Sequence, residues 1–428
     1  YGIIDIAPGK KVGDDKINTA NLRMKLDPME EWKQMFTEAW RFERDFFYVE
    51  NMHGVNWKKI KKRYEELLPY LTTRDDLNYI IGEMIAELNI GHSYVGGGDY
   101  YPRSPRVSNG KLGCDFEIGK NGRYQISKIY KGRNWEPLFK APLNQPGIDI
   151  SEGDYLIAIN GQDLKYPVNP FDLLANTTGH QTVLKVSKEA DGKDSKEYTV
   201  VPVGGDINLR YEDWVEGNRQ KCLEASDGKI GYVHVPSTAI TGLYEFGRQF
   251  YPQANMDGVV IDVRYNSGGW MPSLFVDRLG RELKSLWGSR YGIVRRFPMS
   301  GPTGHLACVI NEYAGSGGDA FPYMFRQAGL GPLVGKRTWG GLVGMNRNTP
   351  LVDGGFLTVP TVGFMDPSGE YEVEGFGVAP DIEVENMPDE VVSGKDPQLE
   401  KAIEYLNGKI AEDPPKQMWK KPSDPDKS

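Results

Sequence analysis

Ser316 sits between glycines in the run Cys308–Arg326, CVINEYAGSGGDAFPYMFR. An apolar stretch ends near Asn311 and a helical pattern begins near Asp319. The serine therefore falls in a glycine-rich turn from a buried strand into a helix, where a hydroxyl is exposed beside the unbonded N–H groups of a helix N-terminus. The next residue, Gly317, offers its own N–H to a developing oxyanion, a contact typically worth a few kcal/mol of transition-state stabilisation. A second glycine turn, in VIDVRYNSGGW (Val260–Trp270), also follows an apolar strand. Gly268 or Gly269 is placed there to supply a further N–H. Nucleophilic acyl transfer is the chemistry that this layout suits, although a glycine turn after a strand also occurs without any chemistry.

A serine hydroxyl is a poor nucleophile near neutral pH unless a base takes its proton, and histidine is the usual base. The chain has 5 histidines. His53 follows the first helical stretch, and His180 falls in a turn after Gly179. His234 lies inside an apolar strand, and His305 precedes another. His92 lies in ELNIGHSYVGGG (Glu87–Gly98), just past a helix end in a glycine-rich loop, and is preferred on that ground. A carboxylate that orients the imidazole is sought in EYEVEGFGVAPDIEV (Glu370–Val384), where spacing does not choose among Glu370, Glu372 and Glu374.

These residues need three kinds of support, and the pattern along the chain supplies them. Residues 1–26 read as an irregular segment. Asp27 caps a helix entered through Pro28, and Trp32, Met35, Phe36, Ala39 and Trp40 recur at helical spacing. A second helix carries Trp57, Tyr64, Leu67 and Leu68. A third, capped by Thr73, runs through Leu77, Ile80, Ile81, Met84, Ile85 and Leu88. Together they make a helical subdomain over 27–105 that ends in the His92 loop. Residues 106–205 show short strands at 124–130, 155–161 and 182–188, broken by Gly-Asp and Asn-Gly turns. Within them, ISEGDYLIAINGQDL (Ile150–Leu164) resembles the hallmark of PDZ domains, and KLGCDFEI (Lys111–Ile118) resembles their carboxylate-binding loop. Residues 206–411 show continuous apolar strands at 230–235, 258–264 and 306–311, separated by helical stretches. That is the mark of a mainly parallel sheet covered on both faces. Residues 397–410 read as a last helix, and 412–428 as a disordered Pro/Lys/Asp-rich tail. The expected fold class is thus multidomain α/β: helical subdomain, PDZ-like β domain and α/β subdomain.

Composition narrows the partners. The net charge of −8 argues against a nucleic-acid or anionic-membrane surface. No run of about 18 apolar residues marks a transmembrane helix. The 3 cysteines, Cys114, Cys222 and Cys308, are far apart and form no CxxC or Cys/His cluster, so neither a disulfide framework nor a structural zinc is expected. The chain begins with Tyr1. Both a cytoplasmic location and a periplasmic one, after removal of a leader, stay open.

Taken in order, the His92 loop, NEYAGSGGDAFPY, GKRTWGGLVG (Gly335–Gly344) and GFGVAPD (Gly375–Asp381) resemble the catalytic region of tricorn-type serine peptidases, from about Asp27 to Tyr405. The resemblance implies Ser316 as nucleophile, His92 as base and Glu374 as the acid. It implies an oxyanion hole from the N–H groups of Gly317 and Gly268, with Ser93 and Gly269 as auxiliary candidates. It also implies peptide substrates, no metal or cofactor, and a homo-oligomer, commonly a hexamer. Three departures stand out. The archaeal motif has Ser directly before the base, where this chain has Gly91, with Ser93 following. Gly317 stands where the archaeal enzyme has Asp. The family's upstream β-propeller domains are not within these 428 residues. The related C-terminal processing peptidases use a lysine base, but Gly341 occupies that position here and Lys336 precedes the motif. A different class of reading is a catalytically inactive PDZ-containing peptide-binding protein.

Overall fold

A computed structural model gives the fold and describes residues 3, 6–11, 13, 16–99, 105–292, 294–345, 347–415 and 426. The chain divides into two compact units, Tyr1–Tyr101 with Val343–Phe364, and Pro102–Leu342 with Met365–Ser428.

The first unit is helical, as the periodicity predicts. Its helices span Pro28–Phe46, Trp57–Glu65 and Arg74–Ala86. Asp27 caps the first by accepting the Met29 N–H. Thr73 and Asp76 form a capping box on the third, satisfying donors that would otherwise be orphaned. The shared core includes Phe36, Ala39, Trp40, Leu77, Ile81 and Met84. The α/β subdomain expected over 206–411 is interrupted in the structure, where Val343–Phe364 groups with the helical unit. There the strand Phe356–Val359 pairs with Arg347–Pro350 and with the two-residue strand Val95–Gly96, in register Val95↔Leu357. Leu357 and Val359 are buried in the helical core, which explains why the excursion is held there.

The second unit holds the PDZ-type sheet and the parallel sheet. In the former, antiparallel strands run in the order Cys114–Ile118, Tyr124–Ile129, Tyr155–Ile159, Thr182–Ser187 and Lys196–Val200. In the latter the order is Ile382–Glu383, Leu333–Gly335, His305–Ile310, Gly258–Asp262 and Ile230–His234, with every pairing parallel. The helices Ile207–Glu224 and Pro397–Glu412 close one face through Val215, Cys222, Leu399, Ala402 and Leu406. Phe246, Phe250, Phe275, Phe321 and Phe325 join three further helices ring to ring. A sheet covered on both faces explains the uninterrupted apolar strands. The three cysteines are buried and unpaired with one another. The expected disordered tail lies, from residue 416 on and apart from residue 426, outside the described residues. No helix among the described residues is long and apolar enough to cross a membrane.

Candidate active site

In an open parallel sheet, loops at the carboxyl ends of the strands form the natural crevice for a ligand. Ser316 stands at such an end. The strand His305–Ile310 runs out, and the helix Gly317–Gln327 begins immediately after the serine, which is its N-cap. The helix starts two residues earlier than expected, because Gly317 and Gly318 disguise the first turn. Ser316 has φ 58° and ψ −118°, a backbone state that L-residues rarely adopt. Such strain persists only where the surroundings over-determine it, and it concentrates at functional sites.

Asn266 over-determines this loop. It is fully buried, and its Nδ2 donates to Val235 O at 2.7 Å. Its backbone oxygen accepts the Gly315 N–H at 3.1 Å. Three strand exits are thereby tied together. The side chain also bears on the predicted oxyanion hole: Asn266 Oδ1 accepts the Gly268 N–H at 2.9 Å. The expectation that Gly268 presents a free N–H therefore meets a competing internal bond. The N–H groups of Gly317 and Gly269, by contrast, have no acceptor among the described residues. Both glycines are close to the nucleophile turn. A β-carbon on Gly268 would lie 3.1 Å from Ser316 Oγ, and one on Gly317 would lie 2.8 Å from Gly269 N and collide with Thr238 Oγ1. Glycine at position 317 is thus required by space in this chain.

The loop after the next strand buttresses the same turn. Trp339 N–H donates to Ala314 O at 2.9 Å, and Gly340 N–H donates to the buried Asp319 Oδ1 at 2.8 Å. Burial pushes the Asp319 carboxyl up to about 6 against these bonds, and the neighbouring Glu374 charge adds to the rise. Glu374 Oε2 accepts the Leu342 N–H at 2.6 Å. The predicted acid is therefore anchored to the loop that braces the Ser316 turn. Lys336 points to other work, pairing with Glu383 at 3.1 Å and Glu385 at 2.8 Å. That engagement disfavours a lysine base.

His92 and Ser93 lie in the helical unit. His92 also has positive φ, 57°. The Phe356–Val359 strand grips its backbone: Thr358 Oγ1–H donates to His92 O at 2.8 Å, and Tyr94 N–H donates to Thr358 Oγ1 at 2.7 Å. Ser93 Oγ donates to Glu43 Oε1 at 3.1 Å. Glu43 is 0% exposed, and burial pushes its carboxyl up to about 8, opposed by the Ser93 bond. Other histidines carry structural bonds. His53 Nδ1 donates to Leu88 O at 2.8 Å and its Nε2 accepts from Tyr48 Oη at 2.6 Å. His234 Nε2 donates to Arg264 O at 2.9 Å and its Nδ1 accepts from Tyr211 Oη at 2.9 Å. His305 Nε2 donates to Asp413 O at 2.8 Å.

The buried Glu43 makes stability depend on pH. Its folded pKa lies above the value for an exposed carboxyl, so its contribution is complete below the unfolded value of about 4.5 and is lost as pH rises through about 8. We expect Tm to fall across that window and the fall to be shallower in Glu43→Gln, by an amount on the order of a few kcal/mol in unfolding free energy. An identical pH profile for the two proteins in thermal melts would refute this.

Residues 28–86 match the Tricorn protease C1 domain, 110–204 the Tricorn protease PDZ domain and 229–384 Peptidase family S41. The Tricorn protease of Thermoplasma acidophilum is 35% identical over 378 residues, which are 88% of this chain and 35% of that protein. A putative Tricorn-like protease C-terminal subunit of Sulfurisphaera tokodaii is 36% identical over 408 residues, 95% of this chain and 46% of that one. The crystal structure of the tricorn protease matches with a TM-score of 0.84 at 34% identity, covering 90% of this chain and 37% of that chain. The chain spans less than half the length of these relatives. In chain order, then, its segments are similar to the Tricorn protease C1 domain, the Tricorn protease PDZ domain and Peptidase family S41.

Proposed function

We propose that this chain is a serine peptidase that cleaves peptides through an acyl-enzyme on Ser316. The observation that carries the reading is the strained serine at the helix N-terminus, beside two backbone N–H groups without an acceptor among the described residues. His92 takes the Ser316 proton as Oγ attacks the scissile carbonyl. The carbonyl electrons move onto oxygen, where Gly317 and Gly269 hold the charge. His92 then gives the proton to the departing amine, and water repeats the sequence to release the acid. Gly268 is the second donor in place of Gly269 if its bond to Asn266 opens on substrate binding. The edge strand Cys114–Ile118 of the PDZ-type sheet suits the substrate's far end, by strand addition.

Glu374 supports the reaction from outside the proton transfer. Glu374→Ala is expected to lower kcat/KM by about one to two orders of magnitude, less than loss of the base or the nucleophile. Steady-state kinetics on a fluorogenic peptide check this, and a loss as large as that of Ser316→Ala contradicts it.

A labelled fluorophosphonate tests the function itself. Modification mapped to Ser316 in folded protein supports a peptidase. A folded protein that binds peptides yet leaves Ser316 unmodified is instead the peptide-binding module.

A further inference from the structure

Position 43 is anomalous on its helix. Phe36, Ala39, Trp40 and Glu43 fall on one face of Pro28–Phe46, and all are buried. A carboxyl thus occupies a place where the periodicity calls for an apolar side chain. Burying it is unfavourable unless it is well bonded, and apolar residues of similar volume commonly stabilise such sites. Its bonding is incomplete. Oε1 accepts from Ser93, while Oε2 has no hydrogen-bond partner among the described residues. Stability therefore does not explain Glu43.

Among the described residues, the side chain that bonds it belongs to the residue after His92. The segment His92–Tyr94 is held from two sides, by Thr358 through the backbone and by Glu43 through the Ser93 hydroxyl. Two independent anchors are what a non-glycine residue with φ 57° requires to keep one geometry. The sequence offers a complementary hint. The hydroxyl that the resembled motif carries before the base is absent at Gly91, and a hydroxyl stands at Ser93 instead.

We propose that Glu43, acting through Ser93, is a positioning residue that holds the His92 loop. This rests on His92 being the general base. The carboxyl is fully buried, where its hydrogen bond to Ser93 is shielded from water and acts strongly. Charged groups on the packed elements leave it alone. Arg74 on the third helix is paired at 2.5 Å with Asp353, beside the Phe356–Val359 strand, and burial and Ser93 are the two influences on Glu43.

The test uses the full chain labelled with [13C]histidine, with Glu43→Gln and Ser93→Ala as variants. The chemical shifts of the His92 ring are expected to change in Glu43→Gln, as they would if the loop lost an anchor. Glu43→Gln should lower kcat about tenfold with KM unchanged and Tm not reduced. Ser93→Ala should shift His92 in the same direction. An unchanged His92 ring signal with unchanged kcat overturns the proposal, as does a kcat loss that merely follows a loss of folded protein. The ring signal needs no reaction at Ser316, so failure here is separable from failure of the peptidase reading. The latter is sunk by an active His92→Ala.

Discussion

Ser316→Ala is expected to lose at least about 10^4-fold in kcat/KM toward peptides while keeping its Tm within a few degrees. The magnitude follows from where the hydroxyl stands. Nothing else in the Gly315–Gly318 turn can form the acyl bond, and the backbone donors alone retain only the small residual catalysis of a site without its nucleophile. The fold should survive because the bonds that shape the turn are backbone bonds or come from Asn266 and Asp319. Gly318 N–H donates to Gly315 O at 2.8 Å, and Asp319 N–H donates to Ser316 O at 2.8 Å. Alanine at 316 keeps all of them. Peptide turnover measured beside a thermal melt decides the matter, and appreciable cleavage by folded Ser316→Ala would exclude this serine.

His92→Ala is expected to fall nearly as far, by about 10^3–10^4-fold in kcat/KM. At least three of the remaining histidines, His53, His234 and His305, already spend ring nitrogens on structural contacts. Burial also pushes His234 down, away from basicity. A base and its nucleophile act as one unit, so the double variant Ser316→Ala/His92→Ala should be hardly worse than either single one. Multiplying losses in the double variant would mean that the two residues serve separate steps.

Much of this was legible in the residues. The capped helices at Asp27 and Thr73 and the apolar strands of the parallel sheet announce themselves through local pattern. So does the nucleophile turn, since a strand-end serine flanked by glycines is a local feature. What stayed hidden depends on contacts between residues far apart in sequence. The segment Val343–Phe364 folds with the helices because Leu357 pairs opposite Val95, and no local propensity encodes that pairing. One local contact was hidden as well: the Asn266 side chain, two residues away, accepts the Gly268 N–H. Asp319 and Asn266 read as ordinary turn polar residues, though both are buried braces. Glu43 did leave a signal: an acid at a core position of an otherwise apolar helical face, which conflicts with the pattern around it. Such conflicts between local rule and position are where function is to be sought.

The proposed reaction requires the His92 imidazole at the Ser316 hydroxyl. A crystal structure of the chain after reaction with a phosphonate tests that most directly. It should show phosphorus bonded to Ser316 Oγ and His92 Nε2 about 2.6–3.2 Å from Oγ or a phosphonyl oxygen. A phosphonylated Ser316 with a different residue in that place, and His92 turned away, would contradict it.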